Sequence, residues 1–109
     1  MIIDTSAIVA IVLDERMATR LTERIIASPV LRISAANLLE SYMVVDRSGT
    51  PDAEQRVDWF VIRTSPRIEP VTPEQVILAR GAFHRYGKGS GHPARLNFGD
   101  CFAYALARF

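Results

Sequence analysis

The sequence predicts an α/β protein in which a parallel sheet is flanked by helices. Three observations lead there. Short apolar segments suited to buried strands recur at residues 1–4, 30–34 and 67–71. Between them lie longer stretches whose apolar residues return at helical spacing. Capping and breaking residues (Ser34, Thr72, Ser28-Pro29, Ser48-Gly49-Thr50-Pro51) punctuate the alternation where each element should start or stop. Strands alternating with helices imply a parallel sheet, and ligands of such sheets bind beyond the carboxyl ends of the strands.

Each element has its own signal. Met1-Ile2-Ile3-Asp4 reads as a buried strand, with Thr5 or Ser6 capping a helix that starts near Ala7. Asp14-Glu15 breaks that helix. A second one is expected over 15–27, with Met17, Leu21, Ile25 and Ile26 as its apolar side. Ser28-Pro29 ends it, Val30 to Ser34 forms the second strand, and Ser34 opens a helix over 35–47. Pro51 is well placed at the start of the next helix, 52–63, which carries Val57, Trp59, Phe60 and Ile62. Arg67 to Val71 is the third strand. Thr72 caps a helix running from Pro73 to Tyr86. Gly87 to Arg95 is an irregular loop, and the last helix runs from Asn97 to the end. Three strands make a thin sheet, and no strand follows the last helix before Phe109, so the chain reads as curtailed.

Composition bounds the function without choosing it. The chain has 109 residues, 49% hydrophobic and 23% charged, which suits one small globular domain spanning 1–109. A net charge of +1 argues neither for nor against a nucleic-acid partner. Lys88 is the only lysine, so the basic residues are nearly all arginine. Arginine favours bidentate phosphate contacts, although a GC-rich genome leaves the same bias. The lone Cys101 excludes an internal disulfide and fits a reducing cytoplasm. Residues 7–13 are apolar but far too few for a membrane span, and no basic residue precedes them as in a signal peptide.

Three carboxylates stand where an ordinary core or surface would not need them. Asp4 interrupts the apolar opening, Glu40 lies among Leu38, Leu39, Met43 and Val44, and Asp100 sits within Leu96-Asn97-Phe98-Gly99-Asp100-Cys101-Phe102. Each has an ordinary explanation. Asp4 can cap a helix, though Thr5 and Ser6 can do so in its place. Glu40 can be a solvated helix position. However, Ala36, Met43 and Val44 place it on or beside the buried stripe, with Asn37 and Ser41 marking another face. Asp100 can complete a capping box with Asn97, while Gly99 would let a ligand approach closely. If folding gathers the three, unpaired buried carboxylates need a counter-charge, and a divalent metal ion is the cheapest common one.

These segments resemble the PIN domain family, and in particular the VapC toxins of bacterial toxin–antitoxin pairs. The resemblance rests on Met1-Ile2-Ile3-Asp4-Thr5-Ser6-Ala7, on Ser34 to Val45 around Glu40, and on Leu96 to Ala107 around Asp100. The run Asn97-Phe98-Gly99-Asp100-Cys101-Phe102-Ala103-Tyr104-Ala105 is its most specific part. It implies a PIN-like three-layer α/β fold and an endoribonuclease dependent on Mg²⁺ or Mn²⁺. It also implies a homodimer, with a VapB-type antitoxin as partner. Asp4, Glu40 and Asp100 match three family acids; Thr5 or Ser6 matches the small hydroxyl beside the first, and Asn97 lies near the site. The family usually continues into a further strand and a fourth acid that are not found before Phe109. A shortened, non-catalytic module that binds antitoxin or RNA is therefore the alternative reading.

On that resemblance, Asp4 and Asp100 are the expected main metal ligands, and Glu40 holds the attacking water or serves a second metal. RNA would be held by the basic, glycine-rich stretch from His84 to Arg95. There Arg85, Lys88 and Arg95 can meet phosphates, and Tyr86 or His92 can stack on a base. A solvated flexible loop explains the same composition. Gly87-Lys88-Gly89-Ser90-Gly91 lacks the spacing of a P-loop, and His84, His92 and Cys101 lack that of a zinc site. A phosphatase using Asp4 would want a second Asp at position 6, which is Ser6; a receiver domain would want an acidic pair and a late lysine. Trp59, Phe60, Val61 and Ile62 exceed one helix stripe, so some of that surface, with Ile8, Ile11 and Val12, suits a subunit or antitoxin interface, while Trp59 itself is expected in the core.

Overall fold

The computed structural model describes residues 1–109 as a three-stranded parallel sheet flanked by six helices. In chain order these are β1 (Ile2–Ile3), α1 (Thr5–Val12), α2 (Ala18–Ala27), β2 (Arg32–Ser34), α3 (Ala35–Arg47), α4 (Ala53–Thr64), β3 (Arg67–Glu69), α5 (Pro73–Tyr86) and α6 (Phe98–Arg108). The strands lie in the order β1-β2-β3, with Ile3 beside Ile33 and Ile33 beside Ile68. The expected α/β class and parallel sheet are therefore observed, with shorter strands than the apolar runs implied.

Two pairs of helices make the crossovers. Ile3, Ile33, Ile8, Val12, Ile25, Val45, Val57 and Phe60 form the main core between the sheet and helices α1 to α4. Helix α6 packs on β1, β2 and α3, and α5 packs on α6; Ala82, Cys101, Ala105 and Leu106 are buried there, outside the main cluster. No helix is long and apolar enough to cross a membrane.

Several local expectations need correction. Asp4 caps α1 itself, accepting from Ala7 N at 2.9 Å, so the helix starts at Thr5 and not near Ala7. Helix α2 begins at Ala18 rather than at residue 15, and Met17 and Ile26 are exposed, leaving Ile25 as its fully buried apolar anchor. Trp59 is not core: it is 58% exposed and carries Arg63 over its ring at 5.4 Å. The largest reversal concerns α3. Asn37 and Ser41 are buried with Val45, whereas Leu39 and Met43 are exposed. The hidden stripe of α3 is thus partly polar, which apolar periodicity could not reveal.

A polar strap also joins α3 to α4, where the Tyr42 hydroxyl donates to Asp58. Burial first, then this bond and the charges of Asp58 and Glu54, push the Tyr42 phenol up to about 12 from its ordinary 10.0. The strap is therefore complete below pH 10 and is lost as pH rises through about 12. Urea midpoints should fall more steeply between pH 10 and 12 for the wild type than for Tyr42→Phe; parallel curves would rule the strap out. At the end of α4, Ser65 adopts a left-handed conformation with φ of 47°, which suits glycine. Ser65→Gly should raise stability by up to about 1 kcal/mol in the same unfolding assay.

Candidate active site

Two strands end directly in helix caps, and this places the site. β1 stops at Asp4, the N-cap of α1, and β2 stops at Ser34, which caps α3 by accepting from Ala36 N. Both helices therefore begin at the carboxyl edge of the sheet. The third helix to reach this place is α6, through its first turn. Asn97 and Asp100 form a reciprocal capping box, with Asp100 N to Asn97 Oδ1 and Asn97 N to Asp100 Oδ2 both at 2.9 Å.

Side chains of α1 and α3 join the three helices. The Thr5 hydroxyl donates to Glu40 Oε1, and the backbone carbonyl of Asn37 lies 3.3 Å away as a second acceptor. Asn37 Nδ2 donates to Thr5 Oγ1 at 3.1 Å and to the carbonyl of Gly99 at 2.9 Å. Gly99 is buried beneath the Glu40 carboxylate: a Cβ there would lie 2.2 Å from Glu40 Oε1. Thr5 follows Asp4 and Gly99 precedes Asp100 in the chain, so folding brings the segments bearing all three acids to one place.

The carboxylates do not make a closed cage. No three Asp, Glu, His or Cys side chains are gathered tightly enough to hold a metal ion by themselves. Each acid has one oxygen engaged in a local bond: Asp4 Oδ1 with Ala7 N and Ser6 Oγ, Glu40 Oε1 with Thr5, Asp100 Oδ2 with Asn97 N. None forms an ion pair, since the one salt bridge joins Arg32 to Glu69 across β2 and β3 at 3.3 Å. What offsets their charge within the protein is the positive end of α1 at Asp4 and of α6 at Asp100, and the Thr5 hydroxyl at Glu40. The donors are all oxygen, uncompensated by any cation, and each carboxylate keeps a second oxygen. That set fits a hard divalent ion that retains several waters and uses one or two carboxylates. It does not fit zinc, and burial, followed by the Asp100 charge, pushes the Cys101 thiol up and keeps it neutral.

The surroundings divide by polarity. Glu40 borders a cleft of about 390 Å³ lined by Ala36, Leu39, Met43, Val44, Phe98 and Phe102. Of the apolar neighbours that marked Glu40 in the sequence, Ala36, Leu39, Met43 and Val44 line an open cleft, and Leu38 packs against the core. On the other approach to α6, the loop after α5 is pinned at its base by Lys88 N to Leu96 O and Leu96 N to Tyr86 O, both 2.8 Å. His92 meets Tyr86 edge-on at 4.8 Å, so the two rings hold each other. Arg85, on the last turn of α5, and Lys88 and Arg95 on the loop are exposed and without ion pairs, and exposed His92 accepts from Ala94 N at 3.0 Å. Arg95 leads through Leu96 directly into the Asn97 cap. Sequence reasoning missed Asn37; its one signal was a lone amide among Ala35, Ala36, Leu38 and Leu39, one helical turn before Glu40.

Comparison with known proteins agrees along the whole chain. The PIN domain family profile matches residues 1–109. Ribonuclease VapC28 of Mycobacterium tuberculosis is 46% identical over 107 residues, covering 98% of this chain and 80% of that protein. Ribonuclease VapC42 of the same species is 44% identical over 108 residues, covering 99% of this chain and 82% of the relative. Ribonuclease VapC of Mycolicibacterium smegmatis is 44% identical over 109 residues, covering 99% and 83%.

The Gly99 contact can be tested on the fold alone. Alanine gains about 1 kcal/mol of helix propensity over glycine, while the atoms nearest its Cβ are those of the Glu40 carboxylate, the far end of a flexible side chain. Gly99→Ala should therefore keep its melting temperature within a few degrees and displace the Glu40 carboxylate from Thr5 in a crystal structure. An unmoved Glu40 would contradict the close approach.

Proposed function

This chain belongs to the PIN domain family, and from that premise we propose that it is a metal-dependent endoribonuclease, the toxin of a type II toxin–antitoxin pair. The observation that carries the proposal is the meeting of Thr5 and Gly99, at the starts of α1 and α6, with Glu40 on α3, which supports reading the neighbouring Asp4, Glu40 and Asp100, none of them ion-paired, as one site. Relatives at 44–46% identity that bear the name VapC ribonuclease support it. The proposed cofactor is Mg²⁺ or Mn²⁺.

Asp4 and Asp100 would hold the ion through the carboxylate oxygens their caps leave over, directly or through water. A divalent ion bound there supplies an activated water and neutralises charge on a phosphodiester. Glu40, fixed at Oε1 by Thr5, keeps Oε2 to hold the attacking water and accept its proton. The positive ends of three helices favour the phosphate group at the same place. A new bond from the water oxygen to phosphorus, breakage of the P–O3′ bond and a proton from solvent on the leaving oxygen would give a 5′-phosphate and a 3′-hydroxyl. Arg85, Lys88, His92 and Arg95 would hold the RNA backbone beside the α6 start, their contribution falling as salt rises.

The same reading supplies partners. A groove of about 590 Å³ between α1, α2 and α4 is lined by Ile11, Ile25, Ile26, Trp59 and Phe60, with Arg56 and Arg63 at it. An apolar segment carrying acidic residues, as a VapB-type antitoxin would supply, suits that lining. Exposed Val76, Ile77 and Phe83 on α5 suit a homodimer interface. A cytoplasmic address agrees with the lone, reduced Cys101.

The decisive experiment incubates the purified chain with labelled structured RNA, in Mn²⁺ or in EDTA. Asp4→Asn and Asp100→Asn are informative controls because asparagine keeps a side-chain oxygen to accept the capping hydrogen bond at either position and removes the charge. Cleavage should require Mn²⁺ and fall at least a hundredfold in either variant. Folded protein that cuts nothing would leave a binding module. Millimolar Mn²⁺ should also raise the melting temperature of the wild type and not of the double variant; no shift would count against clustered acids.

A further inference from the structure

We infer that Asn37 is the positioning residue of this site, a buried amide that sets where the Asp4, Glu40 and Asp100 carboxylates stand. The inference rests on the reading of the three acids as a metal site. Asn37 is 1% exposed, and its side chain reaches two segments distant in the chain, Thr5 at 3.1 Å and Gly99 at 2.9 Å. Those contacts fall one residue after Asp4 and one before Asp100. Asn37 itself lies one helical turn before Glu40 on α3.

The donor at Thr5 also decides where a proton goes. A hydroxyl has one hydrogen to give. Because Asn37 Nδ2 donates to Thr5 Oγ1, that oxygen is used as an acceptor, and its own hydrogen is directed to Glu40 Oε1 or to the Asn37 carbonyl. Both places belong to α3. The relay Asn37–Thr5–Glu40 therefore leaves Glu40 Oε2 as the oxygen available to a ligand.

Folding alone would not select this residue. Asn37 Oδ1 is buried with no hydrogen-bond partner, a cost that a leucine of similar volume would avoid. The Gly99 carbonyl lies in the first turn of α6, where the amide four residues on can serve it. What asparagine adds is a fixed geometry among three helix starts, as outer-shell groups do around metal ligands.

The test uses the full chain as wild type, Asn37→Leu, Thr5→Val and the double variant. Mn²⁺ affinity is read from the electron paramagnetic resonance of free Mn²⁺, and kcat and KM from cleavage of a labelled structured RNA. Each single variant should weaken Mn²⁺ binding and lower kcat about ten- to a hundredfold, with KM for RNA within about twofold. The double variant should match the worse single one, because both act through one relay. Wild-type Mn²⁺ affinity in Asn37→Leu, effects that multiply, or a loss confined to KM would overturn the inference. Should Asn37→Leu not fold, Thr5→Val decides by the same two readouts. A wild type that binds Mn²⁺ without cutting RNA would refute the ribonuclease reading while the Mn²⁺ comparison still judges Asn37. A wild type that does neither overturns both.

Discussion

Everything at the carboxyl edge of this sheet depends on one small contact set, in which the Asn37 amide holds Thr5 on one side and the Gly99 carbonyl on the other. Three helices start there, and a helix start brings unsatisfied N–H groups and a positive end. Left uncapped, three such ends side by side would repel one another. Asp4, Ser34 and the Asn97–Asp100 pair satisfy those groups locally, and two of the three caps carry negative charge. Two of the three candidate acids, Asp4 and Asp100, are thus also caps.

This double use explains why no arginine or lysine is paired with the three acids. A salt bridge would neutralise a carboxylate and occupy the oxygen it has left. Helix ends stabilise the charge, by about 0.3–1 kcal/mol each, without filling its coordination sphere. Each carboxylate therefore keeps an oxygen open, as a ligand for a hard cation must. The absence of a ready three-acid cage follows from the same geometry, since each acid is first committed to its own helix or to Thr5.

Much of this was legible in the sequence, for reasons that differ by residue. Ser34 and Thr72 cap the helices they were expected to cap, because hydroxyl capping is a local property. Asp4 and Asp100 were legible as misplaced charges, and both proved to be caps as well as site candidates. Strand lengths were overread, since Val30 and Val71 are apolar yet lie outside the ladder, and apolarity does not encode pairing. Trp59 and Ile26 were misjudged because an apolar side chain reads the same on a groove as in a core. Asn37 was missed, its one signal being a lone amide among apolar neighbours. Its importance lies in Thr5 and Gly99, 32 and 62 residues away, and no periodicity within α3 encodes those distances.

The separation of core from site has a consequence for how such a small protein can carry both. Ile3, Ile8, Ile33, Val45, Val57 and Phe60 bury the apolar area that holds the sheet to α1 through α4. None of the three acids belongs to that cluster. A fully buried side chain of this kind contributes about 1.5–3 kcal/mol, whereas each capping bond contributes about 1 kcal/mol. Stability is therefore concentrated where the chemistry is not. The geometry of the site rests on a few polar contacts whose individual loss the fold can bear, yet each moves a carboxylate. For that reason substitutions at Asn37, Thr5 and Gly99 report on function, while those at Ile33 or Val57 report on folding.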